Sequence, residues 1–223
     1  MPITVVGLGP GGEEYLTFRA VKELENADII LTPSRFLDIV CRYGKRAEIL
    51  KLDPKRVNDQ IRSLYQEHPD LNIVIVSSGD PLFSGIGKNV LVQGIPCKIV
   101  PGISSIQVAC ARVLTSWDNM AFLTLHEEDH RRYYDAFINH VRTLYSKFCI
   151  LTTPQHDPYT VLRDLSSRLR GYVYYVCENL TLPNERIIRV ESEVPSDLHW
   201  NSVIIGVPVN RDRREILYRP LLS

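Results

Sequence analysis

Short β-branched runs separated by stretches of helical length fill the first half of this chain, and that alternation constrains its fold more than any other feature. The runs are Ile3–Val6, Ile29–Leu31, Asn72–Val76 and Lys98–Val100; the helical stretches are Glu13–Asn26, Pro54–Glu67, Phe83–Gln93 and Ser104–Val113. A βα repeat of this kind predicts a parallel sheet with helices on both faces. Asn72-Ile-Val-Ile-Val76 is apolar along most of its length, so it belongs mid-sheet, buried from both sides. After Thr115-Ser-Trp-Asp118 the rhythm changes. Strands are expected at Ala121–Leu125, Lys147–Leu151, Gly171–Cys177, Glu185–Val190 and Ser202–Val207, with helices only at Asp129–Tyr145 and Pro158–Arg168. Closely spaced strands that pair as hairpins predict a mixed sheet. The expectation is an α/β fold of two α/β domains: residues 1–116 around a mostly parallel sheet and 117–223 around a mixed one.

Charge narrows the function. Lysine plus arginine and aspartate plus glutamate both total 26 in 223 residues, so no net field draws the chain to nucleic acid or to an anionic membrane. The five cysteines are scattered and form no Cys-x-x-Cys pair, which argues against a disulfide framework or structural zinc and for a reducing, cytoplasmic compartment. The sequence opens without a basic leader and an apolar core, and no apolar run approaches the roughly 20 residues that span a bilayer.

Three loops could carry chemistry. Val6-Gly-Leu-Gly-Pro-Gly-Gly12 follows the first strand and formally contains Gly-x-Gly-x-x-Gly, the turn that brings backbone close to a phosphate at a helix N-terminus. A dinucleotide fold would also place an acid at the end of the second strand, where this chain has Thr32-Pro33-Ser34-Arg35. Pro10 further stiffens the loop and removes a donor. Ser77-Ser-Gly-Asp-Pro-Leu-Phe-Ser-Gly-Ile-Gly87 leaves the buried strand at the sheet edge where ligands collect. There Gly79 permits close approach and Asp80 offers a carboxylate, which could instead cap a helix beginning near Phe83. Pro101-Gly-Ile-Ser-Ser105 adds two hydroxyls after the next strand.

Val-Gly-Leu-Gly-Pro-Gly, Ser-Gly-Asp-Pro-Leu-Phe and Pro-Gly-Ile-Ser-Ser, in this order and at these separations, resemble the three N-terminal signatures of the tetrapyrrole methylases. Leu125-His126, Leu151-Thr-Thr-Pro154 and Cys177-Glu-Asn-Leu-Thr-Leu-Pro-Asn-Glu-Arg186 resemble the branch that methylates C5 of precorrin-7, also called the precorrin-6Y methylase branch. The resemblance implies a class III methyltransferase fold, S-adenosylmethionine as cofactor, a corrinoid tetrapyrrole as substrate and a homodimer. It places Pro10, Ser78, Gly79, Asp80 and Phe83 around the methionine part and ribose, and Ser104 and Ser105 on the methionine carboxylate or adenosine. It also implies backbone contacts to adenine from Thr152 and Leu180, with Asp80 and His126 nearest the chemistry. The branch usually has Gly-Arg after its Leu-His pair, whereas this chain has Glu127-Glu128, which leaves Arg131 or Arg132 as the near candidates to meet substrate carboxylates. Because the implied ring is large, flat and rich in carboxylates, Arg35 and Arg112 are also expected near the rim of the trough that takes it. At 223 residues the chain matches a stand-alone enzyme of the cobalt-early route rather than one fused to a decarboxylase.

Other patterns weigh less. His126-Glu-Glu-Asp-His130 has metalloprotease spacing but follows a strand directly, so it reads as a loop entering a helix and no metal is expected. Arg211-Asp-Arg-Arg214 reads as a solvated turn. The competing readings are another tetrapyrrole methylase or diphthine synthase, an NADP-dependent oxidoreductase with Arg35 on a 2′-phosphate, and a nucleotide-sensing module.

Overall fold

The structure, a computed structural model, describes residues 3–126, 130–190 and 193–209. The chain forms two compact units, Met1–Ser104 and Ser105–Ser223.

The first unit holds five strands: β1 (Ile3–Gly7), β2 (Ile29–Thr32), β3 (Glu48–Lys51), β4 (Ile73–Ser77) and β5 (Cys97–Val100). Their order is β3-β2-β4-β1-β5 and every pair is parallel. Four helices join them: α1 (Phe18–Glu25), α2 (Leu37–Tyr43), α3 (Val57–Glu67) and α4 (Gly87–Val92). Strand period decides which face each side chain meets. On β4, Val74 and Val76 pack with Ala20 and Leu24 of α1 and Val40 of α2, while Ile73 and Ile75 pack with Ile61 and Leu64 of α3 and Val90 of α4. All five β4 residues are buried, as the apolar run predicts for the central strand of five. Each such Ile or Val contributes about 1.5–3 kcal/mol by leaving water. Helix α1 starts where Thr17 accepts a hydrogen bond from the Ala20 N–H at 3.0 Å, so the expected helix from Glu13 is only a 3₁₀ turn, Glu13–Tyr15, before that cap.

The second unit begins with α5 (Ser105–Arg112) and continues through β6 (Ala121–Thr124), α6 (His130–Leu144), β7 (Phe148–Leu151), α7 (Pro158–Arg168), β8 (Tyr172–Glu178), β9 (Arg186–Val190) and β10 (Ser202–Pro208). The sheet order is β6-β7-β10-β8-β9, with β6 and β7 parallel and the other pairs antiparallel, a mixed sheet. Ile138 and Val141 of α6 and Leu162 and Leu165 of α7 cover the face carrying Phe148, Ile150, Tyr174 and Ile204. Tyr172 and Tyr174 pack around Phe148 at ring-centroid distances of 5.5 and 6.2 Å, which makes them packing residues. Helix α5 packs on β10 of its own unit.

Candidate active site

β1 and β4 are neighbours, yet the chain leaves β1 toward β2 on one side and leaves β4 toward β5 on the other. In open α/β sheets such a reversal, outside the carboxyl ends of the two strands, is where ligands bind. The Gly-Pro-Gly and Ser-Gly-Asp-Pro loops emerge there, and the Pro101–Ser104 loop emerges beside them from β5.

Backbone contacts lock the three loops together. The Leu8 N–H donates to the Ser77 carbonyl at 3.0 Å and the Gly79 N–H to the Gly9 carbonyl at 2.8 Å, so the first two loops form a short antiparallel bridge. A β-carbon on Gly7 would stand 2.6 Å from the Gly102 nitrogen and run into the Gly79 carbonyl oxygen. A β-carbon on Gly102 would stand 2.7 Å from the Gly7 carbonyl group and meet the same oxygen. Gly79 also takes φ +57°, in the left-handed region that an L side chain rarely adopts. Three glycines, one from each loop, thus touch main chain to main chain.

The second loop is not a helix start. Asp80 Oδ1 accepts from the Leu82 N–H at 2.8 Å, the Phe83 N–H donates to the Asp80 carbonyl at 3.3 Å, and α4 begins only at Gly87. The expected helix from Phe83 is displaced because Ser84 takes φ +54° and Gly85 lies against the Asp80 and Pro81 carbonyls, where a β-carbon would come within 2.6 Å. Asp80 therefore closes a local turn with one oxygen. The Ser84 hydroxyl is buried without a hydrogen-bond partner, the kind of orphan group that asks for an explanation.

Pro10, Ser78, Gly79, Asp80, Phe83 and Ser104 all lie on these loops, and the Ser104 Cα is 3.7 Å from where a Gly79 β-carbon would stand. Ser105 opens α5 in the second unit. Arg35, just past β2, donates to Ser78 Oγ and sits 4.6 Å from the centroid of the Phe36 ring. Desolvation lowers its pKa, and among the described residues no carboxylate pairs with it.

In the second unit, β6, β7 and β8 run in the same direction, so His126, Thr152 and Leu180 share one sheet edge. The Thr152 hydroxyl is spent on the Trp200 and Ser202 carbonyls, at 2.8 and 2.9 Å. His126 is exposed there, with its N–H on Thr124 Oγ1 at 3.3 Å. Leu180 is buried between Asn179 and Thr181, both at positive φ. Glu185, which the sequence signals only as part of a motif, holds this turn: it accepts from the Thr181 N–H at 2.6 Å and from Arg112 Nε at 2.5 Å. Burial alone would raise the Glu185 pKa, but the Arg112 guanidinium and the Thr181 N–H outweigh it and lower it. Arg112 is thereby committed to Glu185. The acids Glu127 to Asp129, with them the metalloprotease-like spacing, and the Arg211–Arg214 cluster fall outside the described residues, as do the Arg131 and Arg132 side chains.

Comparison with known proteins gives this arrangement a context. The cobalt-precorrin-7 C(5)-methyltransferase of Salmonella typhimurium is 30% identical over 207 residues, 91% of this chain and 98% of its relative. The solved precorrin-6Y methylase of cobalamin biosynthesis from Archaeoglobus fulgidus is 26% identical, with a TM-score of 0.68 over 92% of this chain and 97% of its own. The uroporphyrin-III C-methyl transferase of Thermus thermophilus, solved in complex with S-adenyl homocysteine, shares the fold at 21% identity and a TM-score of 0.67, over 94% and 98%. The sequence pattern of the tetrapyrrole (corrin/porphyrin) methylases matches residues 2–194, and the chain belongs to that family.

Proposed function

We propose that this chain transfers a methyl group from S-adenosylmethionine to C5 of cobalt-precorrin-7, a step of cobalamin biosynthesis. The convergence of Gly7, Gly79 and Gly102 carries the reading: it packs three loops, with their serines and one aspartate, at the switch point of a parallel sheet in a chain of this family. The likeness to the Salmonella enzyme over nearly its whole length supports the choice of ring position.

The groups present suit such a cofactor. Asp80 uses one carboxylate oxygen within its own turn, and its second oxygen can accept from a ribose hydroxyl or an amino group. The orphaned Ser84 hydroxyl supplies a further donor in the same loop. In this reading Pro10, Ser78, Gly79, Asp80 and Phe83 hold the methionine part and ribose. Ser104 and Ser105 take the methionine carboxylate or adenosine, and Thr152 and Leu180 offer backbone groups to adenine. His126 faces the substrate. The cofactor supplies an electrophilic methyl carbon and a neutral thioether leaving group. What remains for the chain is to align donor and acceptor in line and exclude water, which can supply several orders of magnitude in rate. A homodimer in the cytoplasm completes the proposal.

A nicotinamide reading is weaker because the first loop spends the Leu8 N–H and the Gly9 carbonyl on the second loop instead of presenting a phosphate cradle. Calorimetry separates the two. Binding of S-adenosylhomocysteine with no heat on adding NADP is expected; binding of NADP alone would overturn the proposal.

A further inference from the structure

The cations able to meet an acidic ligand are not equivalent. Arg112 already carries Glu185. Arg42 carries Glu13 at 2.5 Å, Lys98 carries Glu23 at 2.6 Å, and Arg186 bridges Glu178 and Asp197. Arg35 has no such partner among the described residues, although it stands at the end of β2, one strand from β4, with its side chain against Ser78 of the Ser-Gly-Asp-Pro turn. Two contacts orient it: the Phe36 ring, 1% exposed, lies 4.6 Å from its guanidinium carbon, and Ser78 Oγ accepts one of its N–H groups. An arginine has five donors in a fixed fork, and one hydrogen bond to a hydroxyl leaves the fork open for a bidentate carboxylate. Arg35 is an exposed residue, so the rest of its fork is open to a ligand carboxylate arriving from solution.

We propose that Arg35 is the carboxylate-recognition residue of this site and holds an acidic group of the bound ligand in a bidentate pair. The proposal rests on the methylase reading for the identity of that ligand but not for its chemistry. Two acids are candidates, a side-chain carboxylate of the tetrapyrrole ring and the methionine carboxylate of the cofactor.

The test measures the affinity of wild type, Arg35→Gln and Arg35→Lys for cobalt-precorrin-7 by absorbance titration and for S-adenosylhomocysteine by calorimetry. Methyl transfer by wild type is recorded alongside. Arg35→Gln, close in shape and able to keep a bond to Ser78, should weaken one ligand by roughly tenfold or more, the scale of a hydrogen bond to a charged group. Arg35→Lys, which keeps charge but not the fork, should recover only part of it. Loss confined to the tetrapyrrole assigns the ring acid, and loss confined to the homocysteine ligand assigns the cofactor acid; either supports the proposal. Affinities for both ligands within twofold of wild type overturn it, as does full rescue by lysine, which would reduce the role to a point charge. A wild type that binds but transfers no methyl group would sink the functional reading and leave the Arg35 result to stand by itself.

Discussion

The backbone of Gly102 packs directly on that of Gly7, so closely that a β-carbon on Gly102 would lie 2.7 Å from the Gly7 carbonyl carbon and oxygen. Neither partner is a flexible side chain that could turn away. Gly102→Ala should therefore push the third loop off the first. The expected cost is about 1–3 kcal/mol of stability, with S-adenosylhomocysteine binding weakened at least roughly tenfold. Gly94 is the contrast: it takes φ +67° but has nothing within 4 Å of a β-carbon. Gly94→Ala should cost about 1–2 kcal/mol through backbone strain alone and leave the ligand affinity as it was. Urea unfolding and calorimetry on both variants check this, and equal effects on binding would deny the packing argument.

Asp80 divides its carboxylate between its own turn and, in the proposed role, the cofactor. Asp80→Asn keeps an oxygen for the Leu82 N–H, so it should fold normally while losing the charge. Affinity for S-adenosylhomocysteine should fall by roughly tenfold. Normal affinity in Asp80→Asn would remove the carboxylate from the site and leave it a turn residue.

Glu185 gives a pH signature. Its carboxyl pKa in the folded chain lies below its ordinary value, so the folded state binds fewer protons at this group than the unfolded state. The stabilisation is thus present above about pH 4.3, the ordinary glutamate pKa, and is lost as pH falls through the lower folded value. Glu185→Gln should destabilise by about 1.5–3 kcal/mol near neutrality, and the gap between wild type and variant should narrow as the solution is acidified. Urea midpoints taken across the acid range measure the gap; a gap independent of pH would mean that the Arg112–Glu185 pair contributes no charge-dependent stability.

The thiols should react in order of burial. Cys41 is exposed and Cys97 half-buried, while Cys110, Cys149 and Cys177 are buried. Burial pushes the Cys110 thiol up to about 11, and raises Cys149 and Cys177 as well. Brief alkylation of the folded chain at neutral pH, read by mass spectrometry, should therefore modify Cys41 first and leave those three untouched until denaturant is added. Rapid labelling of Cys177 without denaturant would contradict the packing of β8.

Strand β4 and the three loops were legible in the sequence because each rests on local chemistry: an uninterrupted apolar run, and glycines and prolines at strand ends. Strand β3 was not, since Glu48–Lys51 is four residues long at a sheet edge and none of them is fully buried, so it lacks the apolar signal of an interior strand. Helix α2 was missed for a similar reason, being seven residues that follow a 3₁₀ turn at Ser34–Phe36 without a side-chain cap. The late start of α4 depends on Ser84 at positive φ, a residue type that does not advertise that conformation. In the site, the loops could be read from sequence but not what holds them. The contact of Gly7 with Gly102 spans most of the first unit. The Glu185 carboxylate reaches Thr181 because β8 and β9 turn back on each other, and Arg112 because α5 packs on the same sheet. Arg35 reads from the sequence as a candidate anion partner after a strand, but its contact with Ser78 needs β2 and β4 side by side.

The proposed reaction is methyl transfer to one carbon of one ring. Incubating the protein with cobalt-precorrin-7 and S-adenosylmethionine carrying a ¹³C methyl group, then locating the label by NMR, measures it directly. Label at C5 is expected; label at any other carbon, or none in the ring while the protein binds S-adenosylhomocysteine, would rule this function out.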